Sequence, residues 1–237
     1  MKPQISQSRE NVDDNFFEIN GIYYKKNEDG KSLSVTQSRT KYNGTVNIPA
    51  RVTFKGTSFR VTSIGDSAFE DCSGLNFVTI PDTVISIDDW AFEGCSGLTV
   101  VSIPDSVTTI GDWAFKDCSG LSSVTIPDSV TSIGDSAFEG CSCLSSVIIP
   151  DIITSIGEST FMNCSRLTSL EISSGVTTIG GDRMFEGCES LKSVVIPPSV
   201  CTMEGNPFEG WHGHLVVNSP SFSYKMMCFL MRIKTPL

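Results

Sequence analysis

A solenoid of stacked 23-residue coils is the fold this sequence predicts, and three regularities predict it. Phenylalanine recurs at positions 69, 92, 115, 138, 161, 185 and 208, in steps of 23 residues with a single step of 24. Cysteine follows three residues later at 72, 95, 118, 141, 164 and 188, with Trp211 in the seventh place, and leucine three later again at 75, 98, 121, 144, 167 and 191. Five of the six full units then alternate into an Ile-Pro step, as in Leu121-Ser122-Ser123-Val124-Thr125-Ile126-Pro127. Self-similarity at a fixed period of roughly 20–50 residues marks an array whose units cannot bury their own apolar edge and must stack.

Within a unit the leucine, valine and isoleucine are spaced to face inward, which predicts one short strand per coil, in register with its neighbours about 4.8 Å away along a parallel sheet. Proline then breaks the strand, and Val130 and Ile133 return to the core after Asp128 and Ser129. This is a turn followed by a second short strand on the opposite side. Ala137, Phe138 and Cys141 sit at helical spacing behind Asp135 and Ser136, so a short helical turn capped by one of those two side chains should close each coil. Gly65, Gly111, Gly134, Gly157 and Gly180 occupy one turn, with Asp88 in the remaining unit, and are expected to supply left-handed backbone there.

The flanks read differently. Residues 1–15 are expected to form a flexible tail. Over 16–60, Phe17-Glu18-Ile19, Ile22-Tyr23-Tyr24, Leu33-Ser34-Val35 and Val46-Asn47-Ile48 alternate with Asn20-Gly21, Asn27 to Gly30 and Asn43-Gly44, which predicts a β-rich N-terminal cap. The coils occupy 61–214, six full and one degenerate, and 215–237 forms a C-terminal cap in which Leu215-Val216-Val217 and the apolar stretch from Phe222 to Met231 cover the last coil.

Composition narrows function. With 17 basic and 27 acidic side chains the net charge is −10, which argues against non-specific attraction to nucleic acid or anionic membrane. The run Met226 to Met231 is six residues closed by Arg232, far short of the ~20 that span a bilayer, so no membrane insertion is expected. The segment from Met1 to Ser8 lacks the apolar stretch of a secretory leader. Only His212 and His214 are available for acid–base or zinc chemistry. There is no phosphate-loop, dinucleotide-binding, nucleophile-elbow or zinc-helix string, and no catalytic, cofactor or metal residue is assigned. The expectation is a protein that is not an enzyme.

Two columns of chemically capable side chains have structural explanations. The ladder cysteines fall within disulfide distance of each other, but all point the same way into the coil, so they should be buried free thiols filling the core. Cys143 and Cys201 lie off the ladder and Cys228 lies beyond the repeats, so any disulfide would involve those. Asp82, Asp105, Asp128 and Asp151 follow the Ile-Pro step, while Asp66, Asp89, Asp112 and Asp135 precede the Ala-Phe pair. Stacked carboxylates invite a cation such as calcium, yet aspartate after proline suits a turn and aspartate before a helical turn caps it.

What remains is surface. The outward positions of the strands form two columns, one containing Phe77, Val100, Ser123 and Ser146, the other Thr125, Ile148 and Glu171. Hydroxyls with a few apolar anchors suit a protein or glycan partner spread over several coils. They equally suit an uncommitted soluble face, since threonine and serine are at home on exposed strands. Trp90 and Trp113 occupy equivalent positions in adjacent units where others carry Ser67, Ser136 and Ser159, and either pack on each other or offer a hot spot to a partner.

The string from Ile126 through Pro127, Asp128, Val130, Ile133, Gly134, Ala137 and Phe138 to Cys141 resembles the BspA-like leucine-rich repeat, also called the Treponema pallidum type. The likeness covers about residues 61–215 in six tandem copies. Ser173 in place of the proline after Ile172, and one extra residue between Ile179 and Phe185, are its departures. The resemblance implies a right-handed leucine-rich-repeat solenoid with short parallel strands on one face. It also implies a non-catalytic recognition or adhesion module, at the cell surface or secreted, that meets host or neighbouring-cell proteins or glycans of the extracellular-matrix kind, as a monomer or with weak self-association. The absence of a leader at the start of this chain leaves a cytoplasmic location open. The alternative is a structural spacer or self-assembly scaffold without a dedicated ligand.

Overall fold

The computed structural model describes residues 14–217. Phe222 to Met231, Cys228 and most of the expected N-terminal tail lie outside those residues. Six strands precede the regular array: β1 (Phe16–Ile19), β2 (Ile22–Lys26), β3 (Ser32–Val35), β4 (Gly44–Asn47), β5 (Arg51–Phe54) and β6 (Thr57–Ile64). Asn20 and Gly21 take φ of 52° and 79°, the paired left-handed geometry of a two-residue hairpin, and join β1 to β2 antiparallel. A second hairpin turns at Lys55 and Gly56 between β5 and β6.

From there two kinds of strand alternate. The longer ones are β7 (Leu75–Thr79), β9 (Val100–Ser102), β11 (Ser123–Thr125), β13 (Ser146–Ile149), β15 (Ser169–Ile172), β17 (Ser193–Ile196) and β19 (His214–Val217). The two-residue ones are β8 (Ser86–Ile87), β10 (Thr109–Ile110), β12 (Ser132–Ile133), β14 (Ser155–Ile156), β16 (Thr178–Ile179) and β18 (Thr202–Met203). Where equivalent strands pair they do so parallel, one repeat on, as Val100 with Ser123 and Ile110 with Ile133, while β7 and β9, β11 and β13, β15 and β17, and β12 and β14 lie alongside each other without ladder pairing. The array begins before the first full repeat, because β4 pairs with β7 and β3 with β6, both parallel.

Inside, equivalent residues stack on themselves. The phenylalanine rings lie nearly parallel, from 5.0 Å between Phe69 and Phe92 to 6.5 Å between Phe161 and Phe185. Tyr42 closes the ladder at one end, 4.8 Å from Phe69, its hydroxyl donating to Thr36 O and accepting from Tyr23 N–H. Trp211 closes the other end against Phe185 and Phe208, and its indole N–H donates to Leu191 O. The six ladder cysteines are buried free thiols. Five of them donate to the carbonyl of the phenylalanine one coil back, as Cys118 Sγ to Phe92 O at 3.1 Å. Burial raises the pKa values of Cys72, Cys118, Cys141, Cys164 and Cys188, to about 11 for Cys72 and about 12 for Cys188.

The expected helical turns are absent: no helix occurs among the described residues. The segment spaced like a helix is instead a run of tight turns in which backbone groups alternate in allegiance. Ala68, Glu70 and Cys72 donate to carbonyls three residues back, while Ser67, Phe69 and Asp71 between them donate to Asp89, Ala91 and Glu93 of the next coil. A helix would use every one of these groups locally and leave the coil edges unpaired.

Two further expectations are corrected. Left-handed backbone falls not on the Gly65 column but two residues later, at Ser67, Trp90, Trp113, Ser136 and Ser159, and again at Asp71, Gly94, Asp117, Gly140 and Asn163. Glycine is needed at positions such as 134 for close approach, since a Cβ there would collide with Asp112 and the backbone of Gly111. The aspartates before the Ala-Phe pair do not cap their own turn. Asp89, Asp112 and Asp135 each accept, through Oδ1, the backbone N–H of Asp112, Asp135 and Glu158 in the following coil, at 2.8, 2.8 and 2.9 Å.

The two departures from the repeat are absorbed locally. Ser173 O accepts from Val176 N–H as Pro127 O does from Val130, and the extra residue is taken up at Gly181, with φ of 76°.

Candidate functional site

Alternation along a strand sends every second side chain out of the coil, and parallel register sets the outward ones in columns. The first column runs Thr45, Phe77, Val100, Ser123, Ser146, Ser169, Ser193 and His214. The second runs Asn47, Thr79, Ser102, Thr125, Ile148, Glu171, Val195 and Val216. Register brings Val100 beside Ser123, Ser102 beside Thr125, Ser146 beside Ser169 and Ile148 beside Glu171.

The face is polarised along its length. Phe77 and Val100 are 44% and 43% exposed in the first column, whereas Ile148, Val195 and Val216 are 60%, 42% and 41% exposed in the second. Between these anchors lie Ser102, Ser123, Thr125 and Ser146, all exposed. Across six rungs of about 4.8 Å the strip from Phe77 to Val216 extends roughly 29 Å. The middle hydroxyls have no hydrogen bond within the described residues, which leaves donors and acceptors turned to solvent. This differs from the adjoining edge, where Ser122, Ser145 and Thr168 each donate to the carbonyl one coil back. The strip can therefore offer apolar contact at both ends and hydrogen bonds between them.

Trp90 and Trp113 stand on the turn segment, away from this strip. Their rings stack at 5.0 Å with 4° between planes, so the packing expectation holds, yet Trp90 remains 37% exposed. Both have φ of 54°, a conformation that is a genuine outlier for a bulky side chain and costs on the order of 1–3 kcal/mol. Beside them along the chain, Asp66, Asp88, Asp89 and Asp112, with Thr109, Ser132 and strand backbone, line a shallow cavity of about 430 Å³. Burial pushes the Asp88 carboxyl pKa up; a hydrogen bond from Ser86 opposes the shift, and the negative charges of Asp66 and Asp89 add to it. Asp88 was legible as the odd member of the glycine column, but its place in an acidic hollow was not. Val216 as an anchor, and Tyr42 as the first ring of the ladder, were also missed. Tyr42 stands off the 23-residue period that exposed the others.

Among the described residues no group of three or more His, Cys, Asp or Glu side chains is arranged to hold a metal ion, and no helix is long and apolar enough to cross a membrane. Residues 51–120 and 91–214 match the BspA type leucine rich repeat region, in six copies. The chain belongs to the BspA-type leucine-rich repeat family.

Solved structures agree with this membership. A leucine-rich cell surface protein from Faecalibacterium prausnitzii is 32% identical with a TM-score of 0.74, over 87% of this chain and 55% of its own. The leucine-rich repeat protein of T. pallidum shares the fold at 24% identity and a TM-score of 0.66, over 90% of this chain and 92% of its own. One from Bacteroides ovatus is 28% identical with a TM-score of 0.52, over 79% of this chain and 61% of its own. This BspA-type chain thus spans little more than half the length of the F. prausnitzii protein. No curated protein matches it by sequence.

Proposed function

We propose that this chain is a non-catalytic recognition module, at the cell surface or secreted, which holds a protein or glycan partner of the extracellular-matrix kind along its strand face. The observation that carries this reading is the set of exposed anchors Phe77, Val100, Ile148 and Val195 around a patch of unengaged hydroxyls. Exposed apolar side chains at both ends of the strip, with hydroxyls free to hydrogen-bond between them, give a partner that spans several coils both kinds of contact. Family membership supports the reading, and so does the likeness to a bacterial cell surface protein.

The test is binding of the purified chain to a panel of matrix proteins, glycans and intact cells, beside a Ser123→Arg, Ser146→Arg variant. Both serines are exposed, so the arginines block the strip without entering the core. Binding by the parent and its loss in the folded variant supports the proposal. Equal binding by both moves recognition off this face. No binding by either, with light scattering that shows a monomer or concentration-dependent assembly, favours the spacer or scaffold.

A further inference from the structure

We propose that the turn side of the solenoid carries a second, separate binding site, formed by the Trp90–Trp113 stack and the carboxylates of Asp89 and Asp112 that immediately precede the two indoles in the chain, which takes an arginine side chain presented by a polypeptide partner. It does not depend on the strand face, and it stands or falls by its own chemistry.

The tryptophans are not needed by the fold. Neighbouring coils put Ser67, Ser136 and Ser159 at the same position with φ between 51° and 54°, and they form the same turns. Left-handed backbone disfavours large side chains, so two consecutive indoles there run against local preference. Stacked at 5.0 Å, the pair forms a doubled aromatic plate. The next position of the column beyond Trp90 is Ser67, so no ring covers the plate on that side, in keeping with the 37% exposure of Trp90.

Charge selects the occupant. The cavity is lined by Asp66, Asp88, Asp89 and Asp112 and by no basic residue. Asp89 and Asp112 use Oδ1 on the backbone of the next coil and keep Oδ2 for a ligand. Asp66 is exposed. Lys116, three residues after Trp113, is held 3.6 Å from Glu139. An anion is repelled here, and an uncharged sugar, although its hydroxyls can donate to carboxylates, would leave their negative charge unneutralised. Tryptophan is the strongest aromatic partner for a cation. Guanidinium adds to the charge a planar face that stacks and a donor fork that fits carboxylate, both of which lysine lacks.

The experiment uses the full chain with fluorophore-labelled hexa-arginine and hexa-lysine peptides, followed by anisotropy at low salt. We expect hexa-arginine to bind at least about threefold tighter than hexa-lysine. The Trp90→Ser, Trp113→Ser variant, which installs the residue of the neighbouring coils, should weaken hexa-arginine by about three- to tenfold and erase the preference. An Asp66→Asn, Asp88→Gly variant should weaken both peptides alike. A second readout needs no variant: bound hexa-arginine should shield tryptophan emission from acrylamide. Equal affinity for the two peptides, undiminished hexa-arginine binding by the serine variant, or unchanged quenching each reduces the site to diffuse attraction by an acidic surface and overturns the proposal, as does the absence of binding.

Discussion

The interior columns and the strand-face columns are built by the same 23-residue period, yet the phenylalanine and cysteine columns scarcely change along the molecule while the outward ones range over aromatic, aliphatic, hydroxyl and charged residues. Inside, phenylalanine meets phenylalanine at 5.0 to 6.5 Å and cysteine donates to the carbonyl of the preceding phenylalanine. Outside, one column passes from Phe77 and Val100 through serines to His214. The difference has a physical cause. A buried residue that packs against its own equivalent above and below must match both, since core packing leaves no slack for a change of volume. An outward residue answers only to solvent or a partner. Departures from the repeat therefore mean little inside unless the geometry changes, and carry the information about function outside.

The comparison is broken most severely by removing one ring. Phe138→Ala should cost about 3–5 kcal/mol, because the cavity opens between Phe115 and Phe161 and neither neighbour can close it while its own coil is held in register. A urea midpoint that implies a loss below about 1 kcal/mol would show that the ladder tolerates gaps.

Alkaline pH probes the same interior. Burial raises the folded pKa values of Cys72, Cys118, Cys141, Cys164 and Cys188, Cys72 to about 11 and Cys188 to about 12, above the ordinary thiol value of 9.0. Below pH 9 both folded and unfolded thiols are protonated and the full contribution is present. Above it the unfolded chain ionises first, so stability falls as pH rises from about 9 toward 11–12. A Cys72→Ser, Cys188→Ser variant should show a shallower decline, and an identical slope would remove these thiols as the cause. Under native conditions at neutral pH, a thiol reagent should reach Cys201 and leave the six ladder cysteines unmodified.

Smaller effects fall between core and surface. Gly134→Ala should cost about 1–3 kcal/mol, since its methyl would meet Asp112 and the backbone of Gly111, and a neutral result would mean the coils can separate locally. Asp135→Ala removes the acceptor of the Glu158 N–H and should cost about 0.5–2 kcal/mol, as lost caps do. Smallest is the strand face: Ser123→Arg with Ser146→Arg should leave the thermal midpoint within the equivalent of about 0.5 kcal/mol. A larger shift would mean that the outward columns, too, are under packing constraint.

Much of the architecture was legible because the repeat is a ruler laid along the chain. Inward columns, parallel strands, the Asn20-Gly21 hairpin and the buried thiols all follow from spacing and turn chemistry. The closing turn was not legible, because Ala137, Phe138 and Cys141 have the same spacing whether the backbone coils into a helix or bends through successive tight turns. Only the neighbouring coil, which accepts every second N–H, decides between them. A signal was present in Asp71, Gly94, Asp117, Gly140 and Asn163, a column of residues that tolerate left-handed backbone, but the more regular glycines nearby drew the assignment away from it. At the candidate site the outward positions could be named from the sequence. The gathering of Asp66, Asp88, Asp89 and Asp112 around one hollow could not, because it depends on how adjacent coils are laid over one another.

The sharing of backbone bonds between successive coils also sets how the molecule bears load. A pull on the two ends runs along the stack, so it peels one coil from the next and breaks that junction's bonds a few at a time instead of shearing a whole sheet at once. Each coil released this way adds 23 residues of chain, about 80 Å when fully drawn out, while the coils behind it remain closed. Under load such a stack would lengthen in steps at limited tension, and rewind coil by coil onto the part still folded when the load relents.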